Sequence, residues 1–359
     1  SISMALKAVH ISDVPNLDRV PENPSLGLCS PRSSQGRASP RASNKFLVIG
    51  HRGNGMNRLE SSDRRLMSFR ENTILSFNAA KKLGADFVEF DVQVTKDDCP
   101  VIFHDIFVLS QENGSVSEKR VTELSLSEFL SYGPQREPNK AGRSVLRKTR
   151  DGKILEWEVE TDDALCTLRE AFQRVDPSLG FNIELKFDDN RAYGEDHLAG
   201  IIKTVLRVVG EFADGRRIIF SSFHPDAAAL VGKLQSSYPV LFLTNGGNEV
   251  YGDARRNSLE AGMKVCQEGG LQGMVSEARA VLRNPGAVGG IKDARLSLLT
   301  YGQLNNVGEA VQMQQVMGVE GVIVDLVEEA NRAVQARPHF SEAELAFMLK
   351  LIPTLVQPQ

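Results

Sequence analysis

Between Val88 and Asp105 the chain reads VEFDVQVTKDDCPVIFHD, which sets Glu89, Asp91 and the pair His104-Asp105 inside otherwise strand-forming sequence. Val88, Phe90, Val92 and Val94 alternate with Glu89, Asp91, Gln93 and Thr95, so the acids share one face and the apolar side chains the other. That alternation alone also describes an antiparallel strand with a solvated face. The turn residues Lys96 to Asp98 break the run, and Pro100 opens a second one, VIFH. Too few residues separate Asp91 from His104 for a parallel crossover with its own helix. The spacing therefore predicts a hairpin whose return arm carries His104 back beside Asp91, which gathers two acids and an imidazole at one level.

Other short runs carry residues of matching chemistry. KFLVIGH ends in His51 and is followed by Arg52, and GFNIELKF holds Glu184 and Lys186. Glu89, Asp91 and Glu184 are hard oxygen donors with no thiolate nearby, a set suited to Mg²⁺ or Ca²⁺ and not to zinc. The imidazole side chain has an intrinsic pKa close to neutrality, so of His51 and His104 one can take a proton while the other gives one. Arg52 offers a planar fork and Lys186 a point charge to a phosphate. Metal, two imidazoles and cations around an anion describe phosphodiester cleavage. A lone histidine at a strand end is more often a packed or loop residue. Two histidines, three acids, an arginine and a lysine at one rim are not explained that way.

The elements that must position them follow a regular alternation. KFLVIGH (45 to 51) reads as a strand. ENTILSFNAAKKLGA (71 to 85) reads as a helix with Asn72-Thr73 as caps and Gly84 as stop. After the hairpin comes a long stretch, 106 to 162, with one helical piece, 124 to 133, and the polar, turn-rich run PQREPNKAGRSVLRKTRDGK. Regularity resumes with a helix at 163 to 175, a strand at 180 to 187, a helix at 197 to 212 and a strand at 216 to 223. Strands are expected to begin at 45, 86, 180, 216, 239, 271, 296 and 319. Eight apolar strands separated by helices predict an α/β fold, a (β/α)₈ TIM barrel with an insertion after the second-strand hairpin, and not an open doubly wound sheet. No GxGxxG follows the first strand, which disfavours a dinucleotide domain. In such barrels chemistry sits at the C-terminal strand ends, where every residue named above falls.

HRG at 51 to 53, EN at 71 to 72, EFD at 89 to 91, the Thr95-Lys96-Asp97 turn, PVIFHD at 100 to 105 and IELK at 183 to 186 together resemble the motif set of the glycerophosphodiester phosphodiesterases. The resemblance runs from Lys45 to VEGVIVD, and GHRGNGMN, GFNIELK, IIFSSFHPD and LTYGQLNN resemble the eukaryotic branch, the plant enzymes above all. It implies one divalent cation, Mg²⁺ ahead of Ca²⁺, held by Glu89, Asp91 and Glu184, with His51 and His104 as the acid-base pair. It further implies that Arg52 and Lys186 bind the phosphate and that Glu71 supports the site beside Arg52. The implied substrates are small glycerophosphodiesters such as glycerophosphocholine and glycerophosphoethanolamine, hydrolysed to sn-glycerol 3-phosphate and the free alcohol. Where many relatives carry a tryptophan in the penultimate strand, this chain has Tyr301.

Composition is that of an ordinary globular protein, with 25% charged and 41% apolar residues, and a net charge of −4 argues against a nucleic-acid surface. No apolar run approaches a membrane span, so no stable membrane insertion is expected. Cys29, Cys99, Cys166 and Cys266 lack CxxC spacing and read as reduced thiols. Residues 1 to 44 read as a flexible arm, since SPRSSQGRASPRASN is rich in Ser, Arg and Pro and lacks acids; Met4 reads as the natural start. A plastid transit peptide shares that composition, whereas Asp13, Asp18, Glu22 and two prolines upstream do not suit one, so plastid and cytoplasmic placements both stand. The barrel is expected over 45 to 337, the insertion over 106 to 162, above the mouth, and a tail or helix over 338 to 359. Three rivals share parts of this pattern. A metal-independent phosphoinositide phospholipase C has no need for three acids, a binding protein on a silent barrel would lack one of the catalytic groups, and a lysophospholipase D needs an apolar acyl channel.

Overall fold

The computed structural model describes residues 45 to 336 and 340 to 355. The arm expected over residues 1 to 44, and with it the question of a transit peptide, lies outside the described residues.

The described strands are β1 (Leu47–Gly50), β2 (Phe87–Val94), β3 (Pro100–Ile102), β4 (Phe107–Glu112), β5 (Ser115–Arg120), β6 (Leu146–Lys148), β7 (Ile154–Glu156), β8 (Cys166–Thr167), β9 (Gly180–Leu185), β10 (Ile218–Ser222), β11 (Val240–Thr244), β12 (Gly273–Glu277), β13 (Ser297–Tyr301) and β14 (Gly321–Val324). Eight of them, β1, β2 and β9 to β14, are parallel neighbours in the order β1-β14-β13-β12-β11-β10-β9-β2, and β1 pairs with β2 to close the barrel. Each begins within two residues of its expected start. The helices are α1 (Ile74–Lys82), α2 (Leu126–Leu130), α3 (Leu168–Arg174), α4 (Glu195–Phe212), α5 (Pro225–Leu234), α6 (Leu259–Gly269), α7 (Ala278–Arg283), α8 (Gly286–Asp293), α9 (Gly308–Met317), α10 (Val327–Gln335) and α11 (Glu342–Leu355).

Period-two alternation divides each strand between two cores. Ile49, Phe87, Ile219, Leu241, Val275, Leu299 and Ile323 form one buried cluster inside the ring, held level by pairings such as Ile49 with Phe87 and Ile49 with Ile323. Residues of the other parity, including Val48, Phe90, Ile183, Phe220, Phe242 and Val322, pack in a separate cluster with side chains of the surrounding helices. Gly180 on β9 pairs with Phe87, and a β-carbon there would lie 2.3 Å from the Phe87 ring, so only glycine lets this ring fill the barrel floor. A side chain two or four positions beyond an interior apolar residue must emerge at the mouth, on the same face.

Two expectations require correction. The stretch after the hairpin, read as one helical piece and a loop, holds a four-stranded antiparallel sheet of order β5-β4-β6-β7, and its helix is the shorter α2 with a Ser125-Glu128 capping box. Asn113 and Gly114, with φ of 49° and 79°, make the β4 to β5 turn, and this Asn-Gly pair is the local signal that reveals the hairpin. The polar run SVSEKR hides it, because β5 is largely exposed and has no apolar alternation. The helix expected from 163 begins at Leu168: Cys166 and Thr167 extend the sheet by pairing with β3, and the Thr167 side chain caps α3. Val101 and Phe103 on the return arm join Phe129, Tyr132, Trp157 and Leu165 in a third core, which seats this small sheet on the barrel.

Candidate active site

His51 follows β1 with the parity of Ile49, and its backbone N–H donates to Val324 O at 2.8 Å. Arg52 then takes a left-handed φ of 51°, a strained state for a side chain of this size, which aims its backbone N–H at Glu89 Oε2, 2.9 Å away. Asn72 is likewise left-handed at 57°; its backbone N–H donates to Arg52 O and its amide donates to Asp91 Oδ2 at 3.0 Å. The motif residues at 52 and 72 thus brace one another before α1 starts at its Thr73 cap.

On β2, Glu89 and Asp91 continue the interior row above Phe87. Glu184 on β9 is paired in register with Asp91, and Lys186 lies two positions beyond. One carboxylate oxygen from each of Glu89, Asp91 and Glu184 lies within 4.8 Å of the others, and all three residues are buried. Burial and the charges of Asp91 and Glu184 push Glu89 well above the usual carboxylate range. Burial raises Glu184 to about 6, against the pull of the Lys186 ammonium 3.4 Å away. Asp91 goes the other way: burial opposes its ionisation, yet His104, Lys186 and Arg52 hold it well below its ordinary value. Glu89 Oε1 and Asp91 Oδ1 are buried without a hydrogen-bond partner. Crowded carboxylates with unshared oxygens fit a hard divalent cation, which supplies the missing partner for each.

Each histidine is held by an aspartate. His51 Nδ1 is 2.9 Å from Asp325 Oδ1, and its Nε2 lies 4.0 Å from Glu89 Oε2. His104 Nδ1 is 2.8 Å from Asp105 Oδ1, and the Gln93 amide donates to the carbonyls of Phe103 and Asp105, pinning the peptide on both sides of His104. Pairing of Nδ1 with a carboxylate selects the tautomer that leaves Nε2 for chemistry. Burial, with Arg52 and Lys186 nearby, lowers the His104 imidazole to about 4.

The cations anticipated for phosphate stand beside these acids. Arg52 Nη1 donates to Glu71 Oε2 at 2.6 Å, so Glu71 does lie beside Arg52. Burial opposes the charge on Lys186, but Glu184 and Asp91 raise it above the usual lysine value. Tyr301, the last residue of β13, contacts Asn245 through its hydroxyl and meets Phe223 edge-to-face with ring centroids 5.8 Å apart. His224 of the SSFHPD run does not join the group; its ring accepts from Ala227 N and caps α5.

The structure adds two residues that sequence reasoning left unassigned. Asp325 follows Ile323 at the interior parity of β14, a signal available in VEGVIVD, and it also accepts from Met56 N and Asn306 Nδ2. Arg147 comes from β6 in the insertion, binds Asp105 and pairs with Glu71, and no local pattern marks it.

Comparison with known proteins supplies the family. Residues 51 to 329 match the model of the Glycerophosphoryl diester phosphodiesterase family. The chain is 58% identical to Glycerophosphodiester phosphodiesterase GDPD1, chloroplastic, of Arabidopsis thaliana, over 99% of this chain and 100% of that protein. It is 33% identical to the glycerophosphocholine phosphodiesterase gde1 of Schizosaccharomyces pombe, over 81% of this chain and 28% of that longer protein. Among solved structures, an Oleispira antarctica phosphodiesterase in complex with the product sn-glycerol-3-phosphate superposes with a TM-score of 0.57 at 19% identity, covering 81% of this chain and 98% of that one. The glycerophosphodiester phosphodiesterase of Thermotoga maritima gives 0.52 at 20% identity, covering 80% and 98%. At such identities these two establish the barrel alone, while the family model and the Arabidopsis relative establish more: the chain is an enzyme and belongs to the glycerophosphoryl diester phosphodiesterase family.

Proposed function

We propose that the chain hydrolyses glycerophosphodiesters with small polar head groups, glycerophosphocholine and glycerophosphoethanolamine among them, to sn-glycerol 3-phosphate and the free alcohol. The observation that carries this reading is the meeting of an acid triad and two His-Asp pairs at one barrel mouth. Glu89, Asp91 and Glu184 would hold one divalent cation, Mg²⁺ in preference to Ca²⁺. When bound, that ion supplies Lewis-acid polarisation of the phosphoryl oxygens. Arg52, fixed by Glu71, and Lys186 bind and orient the phosphate. One imidazole takes the proton of the attacking hydroxyl, either of water, which gives sn-glycerol 3-phosphate at once, or of the substrate's own glycerol, which gives a cyclic phosphate that water opens in a second step with the two rings exchanging roles. The other gives a proton to the head-group oxygen as its bond to phosphorus breaks, and Asp325 and Asp105 keep both rings aligned.

The names of the relatives support the substrate class: the Arabidopsis protein is a glycerophosphodiester phosphodiesterase and the fission-yeast one a glycerophosphocholine phosphodiesterase. Choline release from glycerophosphocholine, measured with and without EDTA and after adding back Mg²⁺ or Ca²⁺, tests the proposal. Loss on chelation and recovery with Mg²⁺ is expected. Full activity in EDTA would remove the metal from the reaction, and no release from any glycerophosphodiester would remove the function.

Among the described residues no helix is long and apolar enough to cross a membrane. The chloroplastic designation of the Arabidopsis relative supports a plastid placement over a cytoplasmic one, with residues 1 to 44 as the targeting segment. Import into isolated chloroplasts, with and without those residues, checks this directly.

A further inference from the structure

We infer that Arg147, carried by the insertion, is a positioning residue that locks Asp105 and through it His104. This rests on the role proposed for His104 above. Arg147 stands 42 positions after Asp105 in the chain and belongs to the small sheet, not to the barrel. Its Nε donates to Asp105 Oδ2 at 3.1 Å and its Nη2 to Asp105 Oδ1 at 3.2 Å, a fork that occupies both oxygens of the carboxylate. Oδ1 also faces His104 Nδ1 at 2.8 Å. The remaining nitrogen, Nη1, donates to Asn57 O at 3.2 Å and pairs with Glu71, whose other oxygen accepts from Arg52. Behind the guanidinium lies the Trp157 ring, 3.6 Å from centroid to the Arg147 carbon, and the Trp157 indole N–H donates to Asn57 Oδ1 at 3.0 Å.

The physical consequence concerns direction. A carboxylate turns readily about its terminal torsion, and a turn of Asp105 would swing the acceptor away from the His104 ring. Two parallel N–H donors from one planar group forbid that turn, which a single ammonium cannot do. The indole clamps the guanidinium plane, so the orientation passes from Trp157 to Arg147, to Asp105, to His104. The same guanidinium also meets Glu71, but Arg52 keeps its own contact with the other Glu71 oxygen, so loss of Arg147 acts on His104. A seam that merely glued the insertion to the barrel would not need to end on the partners of two working residues.

The test is steady-state choline release from glycerophosphocholine by the full chain carrying R147Q, R147K, H104A, or R147Q with H104A. R147Q is expected to lower kcat about 10- to 100-fold with little change in KM, the usual loss when the partner that orients a reacting group is removed. R147K keeps the charge but not the fork and is expected to stay about tenfold low. On the H104A background, R147Q should lower kcat less than about threefold further, because residues acting as a unit are not additive. Mg²⁺ affinity by calorimetry should not move. Equal losses from R147Q with and without His104, or full activity in R147K, would mark a structural seam and overturn the inference; R147K carries the test if R147Q does not fold. A large loss in H104A beside an unimpaired R147Q overturns this inference alone, whereas an H104A enzyme within about tenfold of the natural chain overturns the role of His104 itself, and this inference with it.

Discussion

Asp325 Oδ1 lies 2.9 Å from His51 Nδ1, although 274 positions separate the two residues in the chain. The contact exists because β14 pairs with β1 to close the barrel, Ile323 beside Ile49, and each strand then places its next interior residue at the mouth. His51 is therefore oriented by the strand farthest from it in sequence. Burial opposes ionisation of Asp325, but His51, Met56 N and Asn306 hold it below the usual aspartate value, so it keeps its charge near neutrality.

Replacing that charge with an amide should disturb the imidazole and spare the fold. D325N is expected to lower kcat by roughly 10²- to 10⁴-fold, because an amide selects the wrong ring tautomer and does not support the imidazolium. Melting temperature and Mg²⁺ affinity should stay near those of the natural chain. A kcat within tenfold would show that His51 needs no partner.

The two histidines should be separable by leaving group. Either His→Ala change is expected to cost about 10²- to 10⁴-fold on glycerophosphocholine. A p-nitrophenyl phosphodiester has no need of an acid, so it should rescue the variant that lacks the acid and not the one that lacks the base. Equal rescue of H51A and H104A would sink the division of labour.

The acid triad should bind metal in competition with protons. Glu184, raised by burial from the ordinary glutamate value of 4.5 to about 6, favours its protonated form in the metal-free chain. Its contribution to stability is thus complete below pH 4.5 and is lost as pH rises through 6. Mg²⁺ affinity should accordingly fall at least about tenfold per pH unit below 6, since Glu89, also raised, competes for its own proton, and the rise in Tm on adding Mg²⁺ should be larger at pH 7 than at pH 5. Calorimetry and thermal melts across that range check both. E184A should lose most of the metal affinity without lowering the Tm of the metal-free chain; a large drop in that Tm would make Glu184 a structural residue.

The barrel floor makes a prediction about stability alone. In G180A the added methyl meets the Phe87 ring, and overpacking of this kind typically costs about 1 to 3 kcal/mol. Chemical denaturation of the metal-free protein measures it. An unchanged midpoint would mean that Phe87 has room to move.

The alternation of VEFDVQV, the strand starts and the polar residues trailing each strand are local patterns, so the barrel and the line of Glu89, Asp91, Glu184, Lys186, His51 and His104 along its mouth were legible in the sequence. Side chains of one parity share a face whatever lies beyond the strand, which is why a period of two suffices to place them. The β4 to β5 hairpin was missed: Asn113-Gly114 is a turn signal, but the polar strands on either side carry too little apolar alternation to announce themselves. Partners across long separations are a different matter. Asp325 reaches His51 only because the last strand returns to the first, and Arg147 reaches Asp105 and Glu71 only because Val101, Phe103 and Trp157 bury together and seat the insertion against the barrel. Residue types and local spacing determined which groups could do the chemistry. Closure of the ring decided which aspartate meets His51, and burial of a shared apolar seam decided which arginine stands behind Asp105; neither is a property of any short stretch of chain.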